Sequence, residues 1–159
     1  MLIVRQMQAA DRAAAAATEK LCFSCPESEE SLGLYDGERG VGFVVTEIPE
    51  STHLCTMCAP AEPTVIAHAT VFFAPEEGQI VNVATHPDHR RRGAGRMLMD
   101  AIEADARARG FTLLSLEVRV SNEPAITLYT ACGFTVEGRR KGFYCCPRED
   151  AYVMLKHLI

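Results

Sequence analysis

A glycine-containing turn between a predicted strand and a predicted helix limits the possible folds more than any other feature. The turn, Arg90 to Gly95, reads RRRGAG. Before it, residues Gln79 to Thr85 alternate in polarity like a half-buried strand, and Pro87 ends the run. After it, apolar residues recur at helical spacing as far as Gly110. This order of strand, turn and helix predicts an α/β fold.

Further strands and helices are predicted on both sides of this unit. Asp11 is expected to cap the first helix and Asn122 the last, because such side chains accept hydrogen bonds from first-turn N–H groups. Crossovers through single helices predict parallel pairing near Val83 and Leu116. Two further helices are predicted, one running toward Leu21 and one over Glu27–Leu34. A basic and aromatic link is predicted between the last two strands. The other predicted strands lie near Val4 and at Val41–Thr46, Val65–Phe73, Leu113–Val118, Phe134–Glu137 and Ala151–Leu155.

The size and charge of the chain predict one globular domain. The length of 159 residues predicts a single domain over residues 1–159, with an inserted loop at 48–63. The net charge of −5 disfavours nucleic acid as a partner. Without an export signal or an apolar run of about 18 residues, we expect a cytoplasmic protein that does not bind a membrane.

The turn at Arg90 to Gly95 is predicted to bind an anion. A helix N-terminus offers unpaired N–H groups, and glycines let a diphosphate approach the backbone. A basic surface turn is the alternative. A dinucleotide fingerprint needs a third glycine where Leu98 stands, and no P-loop motif occurs.

Arg90, Gly93 and Gly95 match [Q/R]-x-x-G-x-[G/A], and on these residues the sequence resembles the GCN5-related N-acetyltransferase (GNAT) family. Residues 79–156 are most similar to the bacterial ribosomal-protein-alanine N-acetyltransferases. The resemblance implies a GNAT fold, an α/β structure whose central mixed, mostly antiparallel sheet of about seven strands is flanked by about four helices. The shared segments are Val83–Pro87, Leu116–Arg119, Ser121–Asn122, Ala125–Tyr129, Gly133–Phe134, Arg140, Phe143–Tyr144 and Glu149–Ala151.

The resemblance also implies acetyl-coenzyme A (acetyl-CoA) as cosubstrate and a role for each site residue. Glu117 matches the proton acceptor and Tyr129 the proton donor to the leaving thiolate. The backbone near Val83 is expected to pair with the pantetheine arm, and the N–H groups of the turn with the diphosphate. The implied cofactor-binding residues are Val83, Ala84, Thr85, Arg91, Arg92, Gly93, Ala94, Gly95, Arg96 and Asn122.

Structural alternatives stand beside these roles. Instead of a catalytic role, Glu117 has the alternative of a structural carboxylate paired with Arg119 or with a helix end. Tyr129 has the alternative of a core residue whose hydroxyl is hydrogen-bonded. His86 and His89 are interpreted as solvated loop residues. The cluster Arg139, Arg140 and Lys141 is interpreted as a solvated link, although the resemblance places it beside the acceptor groove.

The seven cysteines form an odd number, which favours free thiols or a metal site over a disulfide framework. Cys22 and Cys25 form one C-x-x-C pair, and Cys55 and Cys58 form another. Four thiolates at such positions are an alternative zinc site. Free thiols are the favoured interpretation, because a chain of this length needs no metal to fold.

The sequence therefore predicts an enzyme that transfers acetyl directly to a primary amine. On this resemblance, the implied acceptor is a protein N-terminus, the alanine of a ribosomal protein. The alternatives are a GNAT enzyme that acetylates a small-molecule amine, and a non-catalytic module that binds CoA or zinc.

Overall fold

The computed structural model describes residues 1–49 and 62–159, within which seven strands and four α-helices are arranged around one sheet. Within these ranges no helix is long and apolar enough to span a membrane. The strands are β1 (Leu2–Gln6), β2 (Gly40–Glu47), β3 (Thr64–Ala74), β4 (Glu77–Thr85), β5 (Leu113–Arg119), β6 (Thr135–Cys145) and β7 (Arg148–His157). The helices are α1 (Arg12–Cys22), α2 (Glu29–Leu32), α3 (Ala94–Ala108) and α4 (Glu123–Ala131).

The strands form a single sheet in the order β1-β2-β3-β4-β5-β7-β6. β4 and β5 are parallel, and the other neighbouring strands are antiparallel. The parallel ladder joins Glu77–Ile80 to Leu113–Leu116. The predicted parallel pairing of these two strands is confirmed. The ladder ends at Ile80, so Val83 itself has no partner in β5.

Helices cover both faces of the sheet. On one face, Ala15 and Ala16 of α1 pack with Leu32 of α2 in a small buried cluster. On the other face, α3 and α4 pack against the sheet in the main core, where Leu98 and Ile102 are almost fully buried. Successive side chains of a strand point to opposite faces of the sheet, so each strand contributes residues to the contacts with both helical layers.

A buried hydrogen bond anchors α1 to the sheet. His68 Nε2 on β3 lies 2.8 Å from Glu19 Oε1, and neither side chain is exposed. The second oxygen of Glu19 accepts a hydrogen bond from Glu27 N at 3.1 Å. Tyr35 donates to Glu27 Oε1 at 3.2 Å. Burial, reinforced by the charge of Glu19, raises the pKa of Glu27. This network fixes the segment that follows α1.

The structure corrects the predicted cap of α1. Asp11 precedes the helix, but its carboxylate is held by Arg5 at 2.6 and 2.8 Å and by Gln8 N at 2.7 Å. Sequence position alone does not show this competition, since Arg5 comes from β1. Asn122 does cap α4, as predicted, by accepting from Ala125 N at 3.3 Å.

The predicted link before the last strand is wrong, because β6 continues to Cys145 and β7 begins at Arg148. The ladder between β6 and β7 shifts register twice, once before Gly138 and once before Tyr144. At these irregularities the regular alternation of side chains between the two faces is interrupted. The sequence therefore lacks the alternating polarity by which these strands could have been predicted.

The predicted inserted loop falls in the connection between β2 and β3. Cys55 and Cys58, half of the alternative zinc site, lie outside the described residues. All five cysteines of the described ranges are free thiols.

Candidate active site

A cleft of about 690 Å³ lies where β4 and β5 separate. On one side of β4, Val83, Ala84 and Thr85 remain paired with β3. In the described structure the other edge of β4 has no partner strand beyond Ile80. A free strand edge is the surface to which an extended amide-bearing chain adds.

Three large apolar side chains are exposed within this cleft. They are Phe72 of β3, Val81 of β4 and Phe143 of β6, with exposed fractions of 44%, 39% and 45%. Exposed apolar residues that converge in a concavity with a few polar groups are typical of a binding site.

The turn before α3 leaves backbone donors free of helical partners. Met97 N donates to Gly93 O at 3.0 Å, which is the first bond of the helix. The N–H groups of Ala94, Gly95 and Arg96 therefore precede the helical ladder. Gly93 has a φ of +86°, and a Cβ at this position would meet nothing within 4 Å. The turn thus combines a glycine-specific backbone with open space beside the helix N-terminus, which suits a diphosphate.

Two arginine side chains of this turn, Arg92 and Arg96, are engaged within the protein. Arg92 forms a bidentate ion pair with Glu47, in which Nη1 lies 3.1 Å from Oε2 and Nη2 contacts Oε1. Arg92 Nη1 also lies 2.9 Å from His89 Nδ1. Hydrogen bonds from Arg92 lower the pKa of Glu47. Arg96 pairs with Asp100 at 2.9 Å. Main-chain groups, rather than these guanidinium groups, are therefore the ready donors for an anion.

At the end of β4, Thr85 O accepts from the thiol of Cys22 at 3.4 Å and from Arg90 Nε at 3.3 Å. Arg90 Nη2 also lies 3.7 Å from Cys22 Sγ. The end of α1 is thereby tied to the strand that lines the cleft. Asn122, at the start of α4, lines the same cleft.

Glu117 of β5 places its carboxylate in the cleft with little exposure, its side chain being 12% exposed. Gln79 Nε2 donates to Glu117 Oε2 at 3.3 Å, and Arg140 Nη2 lies 3.6 Å from Oε1. Arg119 is not its partner, because that guanidinium pairs with Glu149 at 3.4 Å. The alternative Glu117–Arg119 pair is therefore wrong.

Tyr129 of α4 lines the same cleft while its side chain is largely buried in the main core. Burial is the main cause that raises the pKa of its hydroxyl, because the phenolate is poorly solvated there. The hydroxyl therefore keeps its proton at physiological pH. The structure thus brings Glu117 and Tyr129 into one cavity.

The connection after α1 and the hairpin of β6 and β7 form a further part of the wall. Tyr35, Phe72 and Gln79 also line the cleft, which no motif in the sequence indicated. Gln79 directly precedes Ile80 in β4 and pairs with Ser115 of β5, two residues before Glu117. Only the pairing of the two strands brings its amide to that carboxylate, so no local pattern in the sequence indicated it. Cys145, at the end of β6, and Cys146, in the turn that follows, were also missed, because this segment was predicted to be a link between two strands.

The match to known proteins extends over most of the chain. Residues 13–134 match the model of the acetyltransferase (GNAT) family. The chain is 30% identical over 156 residues to the [ribosomal protein bS18]-alanine N-acetyltransferase of Escherichia coli (strain K12), covering 97% of this chain and 96% of that protein. The chain belongs to the GNAT family.

Solved structures agree with this assignment. The crystal structure of the ribosomal-protein-alanine N-acetyltransferase from E. coli superposes with a TM-score of 0.81 at 29% identity, covering 99% of this chain and 94% of that one. Arabidopsis thaliana NAA60 in complex with acetyl-CoA has the same fold, with a TM-score of 0.82 at 15% identity and coverage of 99% of each chain. The expected GNAT fold is confirmed, and the protein is an acetyl-CoA-dependent N-acetyltransferase.

Proposed function

We propose that this enzyme acetylates a protein N-terminus, specifically the N-terminal alanine of ribosomal protein bS18. The proposal rests on one observation above the others: a carboxylate and a protonated phenol share the cleft between the separated strands β4 and β5. It is supported by the similarity to the bS18-alanine N-acetyltransferase of E. coli along nearly the whole chain. A ribosomal acceptor implies a cytoplasmic enzyme.

In this proposal, the β4 side of the cleft holds acetyl-CoA. The pantetheine arm pairs with the free edge of β4 at Val83, Ala84 and Thr85, and Asn122 contacts the coenzyme from α4. The diphosphate accepts hydrogen bonds from the main chain of residues 91–96. Gly93 makes that approach possible, because its open side carries no Cβ.

Glu117 is the proposed proton acceptor for the amine. An α-amine has a reference pKa of about 8, so roughly a tenth is already neutral near pH 7 and only one proton remains to be removed during attack. The carboxylate accepts this proton directly or through a water. As the amine adds to the thioester, an N–H of β4 near Val83 stabilises the carbonyl oxygen.

Tyr129 is the proposed proton donor. Collapse of the tetrahedral intermediate breaks the carbon–sulfur bond and expels the CoA thiolate, which takes a proton from the phenol. Tyr129 is protonated when the thiolate leaves, because burial raises the pKa of its hydroxyl. The phenolate that forms regains a proton from solvent before the next turnover. The transfer is direct, so no cysteine acts as a nucleophile.

The experiment that tests the acceptor follows thiol release from acetyl-CoA with a matched panel of amines. The panel contains an N-terminal alanine peptide of bS18, the same peptide blocked at its N-terminus, an internal-lysine peptide and small amines. Mass spectrometry then locates the acetyl group.

Turnover on the free alanine terminus, with the blocked and lysine peptides inert, is the expected result. Turnover on small amines alone would keep the acetyltransferase and reject the ribosomal acceptor. Tight acetyl-CoA binding without turnover on any acceptor would contradict the assigned chemistry of Glu117 and Tyr129.

A further inference from the structure

Three cysteines from distant parts of the chain meet at one edge of the cleft. Cys25 follows α1, Cys145 ends β6, and Cys146 lies in the turn before β7. Their Sγ atoms all lie within 4.8 Å of one another, and all three residues are exposed. We call them the cysteine cluster. Cys22, which shares a C-x-x-C pair with Cys25, instead directs its thiol to Thr85 O.

The backbone that carries the cysteine cluster is held from two sides. Ser24 Oγ donates to Cys146 O, which joins the connection after α1 to the hairpin. Arg119 of β5 donates to Cys146 O at 3.1 Å and to Pro147 O at 3.0 Å. The same guanidinium lies 4.2 Å from the ring centroid of Tyr144. The three thiols are therefore brought together by ordered contacts of their own segments.

The spacing of the cluster suits a thiophilic metal ion. Zinc binds thiolate sulfur at about 2.3 Å, so tetrahedral ligands lie about 3.8 Å from one another. The sulfurs of the cluster need to approach by only about 1 Å to reach this arrangement. Thiolates without a counter-ion would repel one another at such separations, and a bound dication offsets their charge.

We propose that Cys25, Cys145 and Cys146 bind one Zn²⁺ ion, which links the connection after α1 to the hairpin of β6 and β7. Each thiol loses one proton to solvent as its sulfur binds, so three protons leave for each ion. The fourth position is open to water or to a further side chain. This set of ligands differs from the C-x-x-C set considered from the sequence, in which Cys25 was to bind with Cys22, Cys55 and Cys58.

The consequence for function concerns the acceptor side of the cleft. Both linked segments line that cleft, whereas the turn before α3 does not carry a ligand. Zn²⁺ therefore fixes two parts of the wall relative to each other without touching the reacting atoms. Binding of the ion itself does not depend on which amine is the acceptor, so it is tested independently of the proposed substrate.

The test uses the full-length protein, reduced and stripped of metal, and titrates it with Zn²⁺ against a chromophoric chelator. Native mass spectrometry counts the bound ions. We expect one equivalent in the wild type and at least a tenfold loss of affinity in Cys25→Ser and in the double variant Cys145→Ser/Cys146→Ser. Cys132→Ala, which removes a buried thiol outside the cluster, should keep the site. The wild-type Tm should rise with free Zn²⁺, and the Tm of the cluster variants should not.

A second pair of variants separates the two possible ligand sets. If Cys55→Ser/Cys58→Ser loses the ion while Cys145→Ser/Cys146→Ser retains it, the ligands are the C-x-x-C pairs and the proposal is overturned. The proposal is also overturned if the reduced wild-type protein does not bind Zn²⁺. That includes the case in which the cysteine cluster forms a disulfide in mild oxidant but binds no Zn²⁺ when reduced. In the metal-loaded wild type we expect a lower KM for the acceptor than in the stripped protein, with the KM for acetyl-CoA unchanged.

Discussion

Arg140 Nη2 lies 3.6 Å from Glu117 Oε1, so the hairpin that lines the cleft also supplies the cation beside the carboxylate. Glu117 comes from β5 and Arg140 from β6, which is separated from β5 by β7 in the sheet. The contact therefore depends on the long side chain of Arg140 reaching across β7. A fixed positive charge at this place opposes the approach of an ammonium group and leaves a neutral amine unaffected.

This relationship predicts that Arg140→Gln lowers the KM for the acceptor at neutral pH. The expected change is up to about fivefold, since Arg140 is exposed and such charges contribute at most about 1 kcal/mol. The difference should vanish well above the reference pKa of an α-amine, about 8. Arg139→Gln is the matched control, because Arg139 pairs with Asp150 at 2.8 Å. A difference that does not change with pH would contradict the electrostatic reason.

The glycine turn predicts a second, selective effect. Gly93→Ala puts a Cβ at a φ of +86° and into the open space where the diphosphate is proposed to lie. We expect a loss of about 1–2 kcal/mol of stability and a rise of at least about fivefold in the KM for acetyl-CoA, equivalent to one lost hydrogen bond. Steady-state kinetics and urea unfolding measure the two effects.

Gly110→Ala is the control for this experiment. Gly110 has a φ of +77° with nothing near its missing Cβ, but it follows the other end of α3. It should lose similar stability and keep its KM for acetyl-CoA. Equal changes of KM in both variants would show that backbone strain, and not the turn, explains the result.

The sequence predicted the parts of this enzyme that depend on local pattern. The strand–turn–helix order around Gly93 and the cap at Asn122 follow from neighbouring residues, and both are present. The partner of Glu117 was not predictable, because Arg119 is near in sequence while Arg140 is near only in the folded sheet. The cysteine cluster was missed for the same reason, since Cys25 and Cys145 meet only through the fold.

Tyr129→Phe tests the proposed acid. The variant keeps the ring in the core and removes the proton that the thiolate would take, so we expect kcat to fall about 100-fold with both KM values nearly unchanged. Because the pKa of Tyr129 is raised, the wild-type rate should show no alkaline decline from this group below about pH 10. Tyr152→Phe, on β7, should retain activity. An undiminished kcat in Tyr129→Phe would leave the residue only a packing role.

The buried pair of Glu19 and His68 is predicted to stabilise the face that carries α1. His68→Leu leaves a buried oxygen of Glu19 without its hydrogen-bond partner, which should cost about 2 kcal/mol of unfolding free energy. Glu19→Leu/His68→Leu should recover part of that loss, because it removes both polar groups of the pair, although Glu27 N then loses its acceptor. Arg96→Ala, which breaks a solvent-exposed pair, should cost less than about 1 kcal/mol. Urea unfolding measures each value, and a double variant less stable than His68→Leu would contradict this account.

The role of Glu117 is tested most directly by measuring kcat for Glu117→Gln together with the Kd for acetyl-CoA. The amide retains the shape of the side chain and removes the proton acceptor. We predict that kcat falls about 100-fold while the Kd for acetyl-CoA stays within about twofold of the wild-type value. Glu137→Gln, an exposed change on β6, should alter neither quantity. Unchanged turnover accompanied by weaker acetyl-CoA binding would contradict the assignment of Glu117 as the base.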